Sequence, residues 1–164
     1  MKLLVLGASG QCGIWVVRFA VERGYDVTAL VRPSTIYEPP TGVRVVRGAV
    51  LDPRMMAQVA HGQDAIVSCL GPQRVRPANP FSPLKSPPHF CEQSARVIVD
   101  AAHTAGIRRV GAISAAGVGD SEPLLPALMR WLLRHSTVGV MYADLAAMEQ
   151  VFESSGLEWC AVDQ

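Results

Sequence analysis

The sequence predicts an α/β fold in which helices cover both faces of a mainly parallel, doubly wound sheet of about six strands. Short apolar runs of strand length alternate along the chain with stretches of helical spacing, which is the order of βαβ units. The first apolar run leads directly into a glycine-rich turn and then into an amphipathic segment. A chain of 164 residues is long enough for one domain with one core.

The predicted elements follow one another without an internal repeat or an interdomain linker. Strands are expected at residues 2–6, 26–31, 43–47, 64–70, 109–114 and 157–162. Helices are expected at residues 14–23, 53–61, 88–104, 124–134 and 142–154, with Gly24 as a stop for the first helix and Pro53 as a start for the second. Six prolines between Gly71 and Pro88 predict a loop in that segment.

Composition excludes several classes of partner and site. A formal net charge of +1 argues against a nucleic-acid binder or a membrane-surface protein. No apolar run reaches the ~20 residues of a membrane helix, and residues 2–6 are too short for a signal peptide. The four cysteines are far apart and form no C-x-x-C pair, so we expect reduced thiols, a cytoplasmic protein and no metal site.

A glycine loop joins the first strand to the first helix and reads Gly7-Ala8-Ser9-Gly10-Gln11-Cys12-Gly13. In such a loop Gly7 permits the tight turn, Gly10 lets the backbone approach a diphosphate, and Gly13 lets the helix pack closely. The N-terminus of the helix adds free N–H groups and a partial positive charge. Glycines also occur in ordinary turns, but this position between a strand and an amphipathic helix favours a Rossmann-type dinucleotide site.

The end of the second predicted strand bears on the choice of dinucleotide. NAD-binding proteins usually place a carboxylate there, about twenty residues beyond the loop, to accept from the ribose 2′-hydroxyl. This chain has Arg32 and Ser34 instead, and a guanidinium with a neighbouring hydroxyl suits a 2′-phosphate. The pair predicts NADP(H) in preference to NAD(H); the alternative is a solvated surface arginine.

With these residues in place, the chain resembles the atypical short-chain dehydrogenase/reductase proteins that bind NAD(P)H, in particular the biliverdin reductase B (flavin reductase) and NmrA-like branches. Besides the glycine loop, the resemblance rests on residues 29–32, 62–67, 70–71, 113–114 and 155–159. It implies that the glycine loop, Arg32 and Ser34 hold the cofactor. It also implies that Leu70-Gly71 and Ile113-Ser114 flank the nicotinamide ribose.

The chain departs from this family at its candidate catalytic residues, Ser114 and Tyr142. Many relatives carry a Tyr-x-x-x-Lys pair, in which the lysine lowers the tyrosine pKa from about 10; here Ala146 stands in the lysine position. The family serine aligns with either Ser114 or Ala115. A mechanism of the alcohol-dehydrogenase type is therefore disfavoured. Glu149 is either a proton donor or part of a solvated helix face.

Two further departures concern the adenine side and the end of the chain. The family often has an aspartate directly after the glycine that follows the third strand, but here Ala49 follows Gly48, and Asp52 is out of register. Relatives continue beyond the sixth strand into a tail that helps wall the substrate pocket. The expectation is a single dinucleotide-binding domain over 1–164 without that tail, or a sequence from which the tail is omitted.

These observations predict an NADPH-dependent oxidoreductase that transfers hydride to a flavin- or quinone-like acceptor, because such acceptors need little acid–base help from side chains. The alternatives are a non-catalytic NADP(H)-binding redox sensor of the NmrA-like kind and, third, a sugar-nucleotide epimerase or dehydratase relative, which Ala146 weakens. The partner is expected to be a small molecule, with neither nucleic acid nor a membrane involved.

The segment 71–90 suggests the charge of that small molecule. It carries Arg74, Arg76, Lys85 and His89 and no acidic residue, so it suits an anionic substrate such as a flavin phosphate, or the cofactor itself. The alternative is a solvated, proline-stiffened loop. The apolar stretch 124–133 is expected to line the pocket, to form an interface with a partner, or to pack in the core. A homo-oligomer is one possible assembly.

Overall fold

The computed structural model describes residues 1–118 and 126–163. Its strands are β1 (Lys2–Leu6), β2 (Asp26–Val31), β3 (Arg44–Arg47), β4 (Ala65–Ser68), β5 (Arg109–Ser114) and β6 (Glu158–Asp163). Its helices are α1 (Gln11–Glu22), α2 (Pro53–Ala60), α3 (Phe90–Ala105), α4 (Ala127–His135) and α5 (Thr137–Glu153). The predicted α/β fold class is confirmed.

The six strands form one sheet in the order β3-β2-β1-β4-β5-β6, and every neighbouring pair is parallel. The chain winds outward from β1 to β3, returns through α2 to β4 beside β1, and then winds the other way. The order therefore reverses between β1 and β4. In sheets of this kind the crevice at the carboxyl ends of the two central strands is where ligands bind.

Two apolar cores lie on opposite faces of the sheet. On one face the side chains of α2, α3 and α5 pack on the strands, and the most buried members include Leu4, Ile66, Ile98, Met148 and Phe152. On the other face α1 contributes Val17 and Ala20 against Val5, Val27 and Ala29. Adjacent residues of β1 thus enter different cores, as expected for a strand covered on both sides.

Several predicted boundaries are wrong by a few residues. Helix α1 begins at Gln11, before the predicted Ile14, because the helix starts inside the glycine loop rather than at its first apolar residue. Helix α5 begins at Thr137, before the predicted Tyr142, because the Ser136 hydroxyl accepts a hydrogen bond from the N–H of Val138 at 3.2 Å and caps it. Of the predicted helix 124–134, residues 124 and 125 lie outside the described residues.

No helix in the described part of the chain is both long enough and apolar enough to cross a bilayer.

Candidate functional site

A cavity of about 350 Å³ lies at the carboxyl edge of the sheet, across the point where the strand order reverses. Four segments line it: the glycine loop, the end of β2, the connection from β3 to α2, and the chain that follows β4. The carboxyl ends of parallel strands lie at one edge of the sheet, so the loops that follow these strands meet here although they are far apart in sequence.

Backbone contacts hold the glycine loop in shape. Gly7 has a φ of +73°, and a β-carbon there would lie 2.8 Å from the carbonyl oxygen of Cys69. A β-carbon on Gly13 would lie 2.2 Å from the carbonyl oxygen of Gly7. The N–H of Gly10 closes the turn onto that same oxygen at 2.9 Å. Gly13 therefore permits α1 to start directly against the turn. Its close contact is with the backbone of the turn itself, at Gly7 and Ala8.

The N-terminus of α1 differs from those of α2, α3 and α5. A side-chain oxygen caps α2 from Asp52, α5 from Ser136, and α3 from Asp144. The N-cap residue of α1 is Gly10, which has no side chain to cap the helix, and the first turn of α1 carries no acidic residue. The partial positive charge at the start of α1 thus lies beside Ser9 and Gly10, which line the cavity, and the helix brings no carboxylate of its own to it. This arrangement fits the diphosphate of a dinucleotide.

The structure brings together part of the predicted cofactor set. The residues of that set that line the cavity are Gly7, Ser9, Gly10, Arg32, Leu70 and Gly71. Those that do not line it are Gln11, Cys12 and Gly13, in the first turn of α1, and Ser34, which is exposed beyond β2. The exposed Arg32 follows β2 directly, so its guanidinium lies at the rim where the adenosine half of a dinucleotide is expected.

Sequence reasoning placed Gly48 and Ala49 on the adenine side but did not include in the cofactor set the segment 48–51, which is a wall of the cavity. Its position after β3 was the available signal, since every loop at this edge is a candidate. Asp52, which is out of register with the family's aspartate on the adenine side, has a structural role instead. Its carboxylate accepts from the N–H of Arg54 at 3.0 Å and of Met55 at 3.4 Å, and it is therefore the N-cap of α2.

The two candidate catalytic residues lie near the end of β5 and are not among the residues that line the cavity. Ser114 is 3% exposed, and its hydroxyl donates a short hydrogen bond to Oε1 of Glu149. The Tyr142 hydroxyl donates to the carbonyl oxygen of Ala116 at 3.2 Å. Both hydroxyl protons are thus used inside the protein, and Glu149 is a hydrogen-bond acceptor in the fold rather than a purely solvated residue.

Residues 72–88, which we call the flap, connect β4 to α3 and form one side of the cavity through Gln73, Ser86 and Pro87. The flap contains no helix and only an isolated antiparallel bridge between Arg74 and Leu84. The predicted loop is confirmed. Its proline content excludes regular structure, while local hydrogen bonds organise it.

The far end of the flap is anchored by a buried carboxylate. Asp144 of α5 accepts from the N–H of Cys91 and of Glu92, both at 3.0 Å, and so caps α3 from a neighbouring helix. His89 precedes the helix with a φ of 55°, which is uncommon outside glycine. The junction between flap and helix is therefore fixed by a residue from another element.

All four cysteines are in the thiol form. Burial, with a smaller contribution from Cys12, raises the pKa of Cys69 to about 12. The pKa of Cys91 is raised mainly by burial and to a smaller extent by the neighbouring Asp144.

Within the described part of the chain no three histidine, cysteine or acidic side chains are grouped to hold a metal ion.

We expect these environments to order the thiols by reactivity. At neutral pH Cys160, which is exposed, should react with iodoacetamide before Cys69 and Cys91, because burial shields these two thiols and keeps them protonated. Peptide mass spectrometry over time measures the order, with the unfolded protein as the control in which all four react. Early modification of Cys91 in the folded protein would contradict the buried environment.

The fold and the cavity together define a Rossmann-type dinucleotide-binding domain. Residues 7–163 match the model of the NAD(P)H-binding family, and the chain belongs to that family. Among curated proteins it is similar to a probable pinoresinol-lariciresinol reductase 3 of Arabidopsis thaliana, with 27% identity over 79 residues. That match covers 45% of this chain but only 26% of the relative, so the chain spans about a quarter of that protein.

Solved structures share the fold over nearly the whole chain. The anaerobillin reductase ChuY of Escherichia coli O157:H7 is 21% identical, with a TM-score of 0.75, covering 99% of this chain and 72% of that one. The oxidoreductase ylbE of Lactococcus lactis is 18% identical, with a TM-score of 0.76 and coverages of 99% and 68%. The Bordetella bronchiseptica enzyme WbmH, solved with NAD⁺, is 19% identical, with a TM-score of 0.71 and coverages of 99% and 55%.

Proposed function

We propose that this protein is an NADP(H)-dependent reductase that passes hydride to a small planar acceptor, of flavin or quinone type. The observation that carries the proposal is the cavity itself, where the glycine loop at the start of α1 and Arg32 line one crevice. Family membership supports the dinucleotide, and two of the similar proteins, the probable pinoresinol-lariciresinol reductase 3 and the anaerobillin reductase ChuY, are named as reductases.

The binding mode follows from the order of the lining segments. The diphosphate lies at the start of α1, the adenosine half extends over the ends of β2 and β3, and the nicotinamide half extends past Leu70 and Gly71 toward β5. Arg32 and Ser34 then meet the 2′-phosphate. When bound, the dinucleotide supplies the hydride, and the protein contributes orientation and charge.

A planar acceptor suits the catalytic residues at the end of β5. Ala146 leaves Tyr142 without a lysine, and the Tyr142 hydroxyl donates to the Ala116 carbonyl oxygen. The Ser114 hydroxyl likewise donates its proton inside the protein, to the carboxylate of Glu149. An acceptor that stacks on the nicotinamide and stabilises the added electrons itself needs neither hydroxyl as a strong acid. We propose that the acceptor is anionic, because the flap beside the cavity is cationic.

The absence of a lysine beside Tyr142 also favours a second candidate function, that of a non-catalytic NADP(H) sensor. A site without an acid–base pair can bind the dinucleotide without turnover. Loss of NADPH absorbance with FMN, with a quinone and with no acceptor, beside a binding titration, separates the two. Turnover above the acceptor-free rate supports the reductase. Tight binding of NADPH with no turnover on any acceptor would contradict it and leave the sensor.

Cofactor preference is tested at Arg32. The Arg32→Ala variant should bind NADPH roughly tenfold to a hundredfold more weakly, because it loses charged hydrogen bonds to the 2′-phosphate. Its affinity for NADH should change little. Isothermal titration with both dinucleotides measures the difference, and Arg44→Ala, at the opposite end of the neighbouring strand β3, is the matched control. Equal weakening of both dinucleotides would remove the role given to Arg32.

A further inference from the structure

We propose that the flap is a preassembled cationic lid that closes as one unit over an anionic group bound in the cavity. The inference rests on the proposed function for the position of the ligand, but it concerns a separate part of the molecule. It follows from the internal bonding of the flap, its few attachments and its charge.

The flap is organised by its own hydrogen bonds. Its two arms are joined from Gln73 N–H to Ser86 Oγ at 2.8 Å and from Lys85 N–H to the Gln73 carbonyl oxygen at 2.7 Å. Val75 N–H donates to the Pro83 carbonyl oxygen at 3.0 Å, and further bonds close the tip. A segment bonded to itself in this way has a shape that does not depend on contact with the sheet.

Attachments to the rest of the protein are few. Among the described residues, a single hydrogen bond joins the flap to another element, from Thr137 N–H to the Pro80 carbonyl oxygen at 3.1 Å. At one end Gly71 has open space where a β-carbon would stand. At the other end His89 has a left-handed backbone, beyond which Asp144 fixes α3. The geometry suits a rigid body moving about residues 71 and 89.

The charge of the flap indicates what it closes on. Arg74, Arg76 and Lys85 are cationic, and no acidic residue occurs between Gly71 and Phe90. The Nε atom of Arg74 is buried with no hydrogen-bond partner among the described residues, while its Nη2 donates to Pro77. A buried donor of this kind is costly until an acceptor reaches it. Arg32 lines the cavity, so a flap that moved its three cations over the cavity would bring positive charge to an anion there from a second direction.

The anion has two sources with the same chemistry, the diphosphate of the cofactor and an acid group on the acceptor. Hydrogen–deuterium exchange of the full chain distinguishes them by following the flap peptide, the glycine-loop peptide at 7–13 and a reference peptide at 105–110. The ligands are NADP⁺ alone, FMN alone, NADP⁺ with FMN, and NADP⁺ with riboflavin, which lacks the phosphate.

Closure should slow flap exchange by about tenfold or more, while the reference peptide stays unchanged. Protection with NADP⁺ alone assigns the cofactor diphosphate, and protection that needs FMN but not riboflavin assigns the acceptor phosphate. Flap exchange that no ligand changes overturns the proposal, and so does flap exchange that NADP⁺ alone leaves unchanged but that riboflavin slows as much as FMN does. If residues 7–13 stay unprotected by NADP⁺, the cofactor assignment fails separately, and the FMN arm still decides on the flap.

A charge variant gives a second measurement. Arg76→Gln with Lys85→Gln alters only exposed side chains and should weaken the protecting ligand about tenfold. The matched control is Arg108→Gln with Arg109→Gln, which removes two exposed arginines from the start of β5 at the other edge of the sheet. Equal affinities in the two double variants would overturn the electrostatic role of the flap.

Discussion

Replacing Gly13 with alanine should lower the free energy of unfolding by about 3 kcal/mol or more. The added β-carbon would stand 2.2 Å from the Gly7 carbonyl oxygen and 2.8 Å from the α-carbon of Ala8. Both neighbours are backbone, so no change of rotamer relieves the clash, and α1 must move away from the turn. Because the proposed diphosphate site depends on that contact, we expect dinucleotide affinity to fall together with stability.

Thermal unfolding followed by circular dichroism measures the first effect, and NADP⁺ titration of the folded fraction measures the second. The matched control is Gly111→Ala on β5, where a β-carbon would meet only Val67 Cγ2 at 3.7 Å and Cys160 Sγ at 3.8 Å. These are ordinary contacts, so the control should unfold within about 1 kcal/mol of the parent. A Gly13→Ala protein that melts and binds like the parent would show that the helix does not depend on this approach.

The fold could be predicted because its signals are local. Each strand of the central sheet is a short apolar run, and Gly24 and Pro53 stand where helices end and begin. The predicted helix starts were wrong where a cap or a turn, and not the apolar pattern, decides where the helix begins. Ser136 starts α5 well before its apolar periodicity becomes visible, and the glycine loop starts α1 before its first apolar residue.

The site could be predicted only in part. The glycine loop and Arg32 follow from spacing along one βαβ unit, whereas the lining segment 48–51 depends on the order of strands in space. Asp52 caps its own helix, and its position directly before Pro53 is a pattern typical of that role. Asp144 lies inside a predicted helix and caps another helix 52 or more residues away, a role that no pattern in the sequence indicates. Interactions between distant elements are the part that requires the structure.

Replacing Asp144 with alanine is the second change expected to have a large effect, at about 3 kcal/mol. The carboxylate is 7% exposed and accepts from two N–H groups at the start of α3, those of Cys91 and Glu92. Alanine leaves both donors without a partner in a region closed to water. Asp144→Asn should cost less, because the amide oxygen keeps one of the two bonds but loses the attraction to the helix dipole.

Chemical denaturation gives the ranking parent, Asn, Ala in order of falling stability, with Asp100→Ala on the exposed face of α3 as the control. The Cys91 thiol provides an independent report, since it lies directly at the cap and is 1% exposed. Its reaction with iodoacetamide should accelerate in Asp144→Ala more than overall unfolding explains, because the first turn of α3 opens locally. Unchanged stability with unchanged Cys91 labelling would mean that water replaces the carboxylate at no cost, and that α5 does not hold the end of the flap.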